Sequence, residues 1–144
     1  MRIVVLTIFC AAFVTAVSSA QALHTPEKNS AERAAILNAL RVPVEKDLKQ
    51  KIVFVVGRIS VQKGWAFVSG EPQTATGTRP NLKGTAWEGM PDLFDNGFFG
   101  LLRKQRGKWR VVTHALGCTD VCYLDWWQMH KAPRDIFGLP EVAR

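Results

Sequence analysis

Apolar residues recur along this chain with two periods, and the change between them separates a helix from a sheet. Ile36, Leu37, Leu40, Val44 and Leu48 fall three and four residues apart, the spacing that lines one face of a helix. Upstream, His24-Thr25-Pro26-Glu27 offers a start. Thr25 can accept from an unpaired first-turn amide, and Pro26 lacks the N–H that the first turn leaves unused. The pattern predicts a helix over about 26–49. Pro43 lies inside it, removes one hydrogen bond and crowds the carbonyl of Ala39, so a kink or restart is expected near 41–43.

After Lys51 the period falls to two. Ile52 to Val56 is apolar on both faces, the pattern of a central strand, and Arg58 and Ser60 restore alternation. Gly57 in mid-strand predicts a bulge or bend. Lys63-Gly64 supplies a turn and Trp65 to Ser69 returns. A second pair, Phe98 to Lys104 and Trp109 to Leu116, surrounds a turn at Arg106-Gly107. Strict alternation sets Phe99, Leu101 and Arg103 against Phe98, Leu102 and Lys104, and Trp109, Val111, Thr113 and Ala115 against Arg110, Val112 and His114. QKGWAFV and RGKWRVV echo one another, so two hairpins of similar design are expected.

Between the hairpins, residues 72–96 are rich in Gly, Pro and Thr. A loop of this length is commonly functional or partly ordered. Trp87, Met90, Leu93 and Phe94 are expected to fix its second half to the domain, as an edge strand or a helical turn. Thr119 or Asp120 then caps a short helix from Val121 to about His130, which Lys131-Ala132-Pro133 ends. This order predicts an α+β fold: a long kinked N-terminal helix packed on a curved four-stranded antiparallel sheet, with a short C-terminal helix.

The residues ahead of the first helix read as an address. Met1-Arg2 is a minimal positive start, Ile3 to Val17 is an apolar run too short for an anchor, and the small residues Ser18-Ser19-Ala20 and Ala20-Gln21-Ala22 suit signal peptidase. Residues 1–22 are therefore expected to be a signal peptide and residues 23–144 a single α+β domain, periplasmic or secreted after cleavage near Ala20 or Ala22. No second long apolar segment follows, so no transmembrane segment is expected in the mature chain. Of 144 residues, 122 remain, enough for one domain and too few for two. The net charge of +7 loses only Arg2 and becomes +6. That excess favours an acidic protein or an anionic glycan or lipid surface as partner, and counts against inhibiting a strongly basic enzyme.

Five cations, Arg103, Lys104, Arg106, Lys108 and Arg110, crowd the second hairpin and make it the candidate binding surface. They also suit any solvated tip, where charge discourages edge pairing. Trp126-Trp127 is expected to bury one indole and leave the other half exposed, and Trp126 is taken as the stacking residue. Nucleic acid is disfavoured by export, and because Trp65 and Trp109 each open a strand and should pack inward. With Cys10 removed, Cys118 and Cys122 form an even pair in an oxidising compartment, which points to a disulfide across a loop of five residues, with two free thiols as the alternative. His114, Cys118, Cys122 and His130 also spell H-x₃-C-x₃-C-x₇-H, but the spacing matches no zinc motif. G-x-S-x-G, H-E-x-x-H and a Gly-rich phosphate loop are all missing, so no catalytic residue, metal or cofactor is assigned.

The ALRVPVEKDL helix end, the strand pair KIVFVVGRISVQKGWAFVSGEPQ and the GKWRVVTHALGCTDV end resemble small exported proteobacterial proteins of largely unassigned role, over most of residues 30–130. The architecture is similar to cystatin-like and nuclear-transport-factor-like α+β folds, in which a curved sheet embraces a helix. That resemblance implies protease inhibitors, isomerases, dehydratases or plain binding modules, and shape alone does not choose among them. A cystatin-type Q-x-V-x-G loop is missing from the sequence. The expected function is non-enzymatic binding through the basic hairpin tip together with the 72–96 loop. The alternative is a small nuclear-transport-factor-like enzyme or ligand carrier with a pocket near His114.

Overall fold

The computed structural model describes residues 22–118 and 121–140. The expected leader, apart from Ala22, and the expected helix cap at Thr119 or Asp120 lie outside the described residues. One main helix, α1 (Ala31–Leu48), precedes four strands: β1 (Val53–Gln62), β2 (Trp65–Gln73), β3 (Phe98–Gln105) and β4 (Lys108–Leu116). They form one antiparallel sheet in the order β1-β2-β3-β4. A short helix, α2 (Trp126–Met129), and a 3₁₀ turn (Arg134–Phe137) complete an α+β fold.

The main helix starts later than its pattern predicts. Ser30, not Thr25, is the N-cap, and its hydroxyl accepts from the Arg33 amide at 3.2 Å. Thr25-Pro26 belongs to an extended segment instead, because His24 bridges the backbone of Val61 at the edge of β1. The helix continues as one element through Pro43, and Lys49 closes it in the left-handed conformation. Its stripe is as expected: Ile36, Leu40, Val44 and Leu48 are buried, with Leu37 half-buried beside them.

Two register shifts decide which side chains meet α1. Val56 pairs with Gly70 and Arg58 with Ser69, so Gly57 is the extra residue of a β-bulge. The bulge inverts the alternation, and Phe54, Val56, Ile59 and Val61 all reach the α1-side cluster. In β4, Leu101 pairs with Thr113 but Leu102 with Val111, which makes Val112 the extra residue. The strict alternation expected along β4 therefore fails at Val112. Trp109 and Val111 share the α1 face with Leu116, and His114 reaches Asp47 of α1. β1 is an edge strand and not a central one, and its outward residues Val53 and Val55 stay about half exposed.

The opposite face of the sheet carries a second cluster. Trp65, Phe67 and Leu101 pack against Trp126, Ala132, Ile136 and Phe137. Phe67 lies 4.8 Å, centroid to centroid, from both Tyr123 and Phe137. Arg58 lies beneath Gly138, whose φ of 61° sits in the left-handed region. The sheet is thus covered on both faces, a helix on one and the C-terminal segment on the other. Among the described residues, no helix is long and apolar enough to cross a membrane.

Candidate functional site

Both hairpin turns carry positive φ at both central residues: Lys63 at 49° and Gly64 at 74°, Arg106 at 49° and Gly107 at 76°. That is the type I′ pattern, whose twist matches the flanking strands. The sequence echo is therefore real at the turns. The two tryptophans differ in direction, however, Trp65 joining the C-terminal cluster and Trp109 the α1 cluster.

In a four-stranded meander, the first and third turns share one end of the sheet. Lys63 thus joins the second hairpin's cations, and the Lys104 amide donates to the Gly64 carbonyl at 2.7 Å. Arg103, Lys104, Arg106, Lys108 and Arg110 are all exposed. Arg103 and Arg110 are cross-strand partners, as are Gln105 and Lys108. A directly opposed like pair is destabilising on its own. The guanidinium of Arg103 lies 5.0 Å over the Trp65 ring, and the Lys104 ammonium lies 5.8 Å over Trp109. Trp65 and Trp109 are themselves only 8% and 9% exposed, so the cations cover rings rooted in the core.

The ion pairs found among the described residues are His24–Glu32, Lys51–Glu45 and His114–Asp47; none involves the hairpin cations. Glu88, Asp92 and Asp95, the acids of the preceding loop, form no ion pair with these cations among the described residues. Their loop joins β2 to β3 at the opposite end of the sheet, and the eight residues of β3 put roughly 25 Å between the two ends. The hairpin tip and the 72–96 loop therefore do not form one site.

Trp126 does not present the stacking face expected of it. It is 7% exposed and packs in the C-terminal cluster, with Tyr123 set edge-on at 6.5 Å. A four-residue helix holds its place only through such burial. Trp127 is the half-exposed member of the pair, with Arg134 5.8 Å over its ring. Cys118 and Cys122 stand at disulfide distance with Cα atoms 6.4 Å apart, inside the range such bonds span.

His114 reaches across from β4 to α1, where its Nε2 and Asp47 Oδ2 are 2.7 Å apart. The imidazole is 23% exposed and the carboxylate 41%, a seam between helix and sheet. The described cavities are lined by other residues. Among the described residues, no three His, Cys, Asp or Glu side chains gather as a metal site.

Within the loop, Trp87 and Phe94 pack edge to face at 5.0 Å, whereas Met90 and Leu93 are exposed. Pro91–Leu93 forms a single 3₁₀ turn, the helical option of the two expected. Its periodic signal was two aromatics seven residues apart, too sparse to reveal the groove they wall. Comparison with protein-family models, with curated proteins and with solved structures yields no match.

Proposed function

We propose that this chain is an exported, non-enzymatic binding protein, periplasmic or secreted once its leader is cut near Ala20 or Ala22. Its hairpin end grips a polyanionic partner, either an acidic protein or an anionic glycan or lipid surface. The observation that carries this reading is the exposed cluster of Arg103, Lys104, Arg106, Lys108 and Arg110, without ion-pair partners among the described residues and with Arg103 and Arg110 directly opposed. Two further facts support it. Lys63 and Arg106 occupy left-handed turn positions, where Asn or Gly avoids a cost of roughly 1–2 kcal/mol. An anion bridging Arg103 and Arg110 would turn a repulsive pair into a charge-assisted one.

The same reading takes the sheet as curved and α1 as bent. Bulges at Gly57 and Val112 support the curvature, and Pro43 supports the bend. Helix followed by an antiparallel meander likewise supports kinship with cystatin-like or nuclear-transport-factor-like folds. Nucleic acid fits poorly, since Trp65 and Trp109 are buried beneath cations and offer no open stacking face. The alternative of an enzyme or carrier acting through His114 rests on the His114–Asp47 contact alone. No cofactor is invoked.

The test is a salt series. Binding to heparin, to phosphatidylglycerol vesicles and to an acidic protein is measured between 50 and 300 mM salt. Affinity for at least one of them should fall steeply with salt and drop further in Arg103→Glu/Arg110→Glu. Affinity that ignores salt, or survives that variant intact, removes the proposal.

A further inference from the structure

At the end of the sheet away from the cations, the 72–96 loop encloses a groove of about 520 Å³, within the size range of small-ligand sites. Its walls are apolar: Pro80, Leu82, Trp87, Pro91 and Phe94. Arg79 and Lys83 stand exposed on its rim, and neither takes part in an ion pair among the described residues. Glu88, the acid in the lining, is already engaged, its Oε2 accepting from the Gly84 amide at 2.9 Å. The Lys49 ammonium adds a further positive charge over Gly84, 3.9 Å from where a Cβ there would stand.

The groove is held open by bonds that do not depend on a ligand. Gln50, just after α1, clamps Asn81 from both sides, its Nε2 donating to the Asn81 carbonyl at 2.6 Å and its Oε1 accepting from the Asn81 amide at 3.1 Å. Thr85 donates to the Leu82 carbonyl at 2.6 Å and accepts from the Trp87 amide at 3.2 Å. At the base, Gly117 donates to the Gly97 carbonyl and accepts from Asp95, beside the Phe94 ring. A cleft pre-organised in this way loses little entropy when filled.

We propose that this groove is a second site, independent of the hairpin, for a small amphipathic carboxylate: an apolar body against Trp87, Leu82 and Phe94, with its carboxylate at Arg79 and Lys83. An apolar floor alone would take any oily molecule. The cationic rim, with its one acid already bonded, selects the anion among them.

Calorimetric titration of the purified protein tests this with matched probes: octanoate, octylamine, octanol and 3-phenylpropanoate. Saturable binding of a carboxylate, aliphatic or aryl, with octylamine excluded and octanol weaker, is the expected result, and the tighter carboxylate identifies the body. Arg79→Gln/Lys83→Gln should weaken it roughly tenfold. Both residues are exposed, so the fold should survive that change. Arg103→Glu/Arg110→Glu should leave it unchanged, which separates this site from the hairpin. Octanol binding as tightly as octanoate, equal affinity in the double Gln variant, or no saturable binding by any probe overturns the proposal.

Discussion

The two ends of the sheet are built by opposite means. At the hairpin end, two-residue turns expose their cations, and Gly107 has nothing within 4 Å of where a Cβ would project. At the loop end, the chain runs from Thr74 to Gly97 before re-entering the sheet, pinned by side-chain-to-backbone bonds and packed aromatics. Loop length therefore does not measure looseness. The short turns present charge to solvent, whereas the long connection encloses a groove.

Gly117 has φ 66° and faces Phe94, whose Cδ2 would lie 2.5 Å from an added Cβ. Gly117→Ala must bear both left-handed strain and overpacking, together about 2–5 kcal/mol. Gly107→Ala bears the strain alone, about 1–2 kcal/mol. Urea midpoints of the two variants report the difference. Equal losses would mean that the loop end is no better packed than the hairpin end.

Much of this contrast was legible in the sequence, and its limits have physical causes. The helix stripe, the four strands, both turns and the Gly57 bulge follow from periodicity and from glycine placement. The start of α1 did not, because Ser30 and Thr25 are both competent caps and a tertiary bridge from His24 to Val61 decides between them. β1 read as central because Val53 and Val55 are apolar, yet edge position is set by topology and not composition. The Val112 bulge had no glycine to announce it. Trp126 and Trp127 are adjacent and chemically identical, so only the packing of Ile136 and Phe137 shows which is buried. The basic tip was visible as charge; that the loop acids lie at the far end was not, since that depends on which strand ends coincide.

Arg110→Glu places a carboxylate directly opposite Arg103. The repulsive pair becomes attractive, and stability should rise by a few tenths of a kcal/mol to ~1. Affinity for the polyanion should fall at the same time, with a shallower dependence on salt. Lys83→Glu makes the same charge change at the loop end and should leave polyanion affinity within about twofold, since roughly 25 Å exceeds the screening length. Equal loss from both variants would show that net charge governs binding and the hairpin does not.

The smallest effect concerns a residue near the hairpin end that is neutralised rather than left bare. His24 bridges Val61, two residues before Lys63, and its Nε2 meets Glu32 Oε2 at 2.8 Å while Nδ1 faces the Ala22 carbonyl at 3.1 Å. Both partners accept, so the ring satisfies both only when it carries two protons. The Glu32 hydrogen bond accordingly raises the His24 pKa above its ordinary 6.5, against an opposing penalty from burial. A raised pKa means the contribution is complete below 6.5 and disappears as pH rises through the folded-state value. Wild-type denaturation midpoints should therefore decline with rising pH across that window, and Glu32→Gln should flatten the slope. The difference between the two curves isolates the His24–Glu32 contact. Parallel curves would mean that Glu32 does not hold the proton on His24.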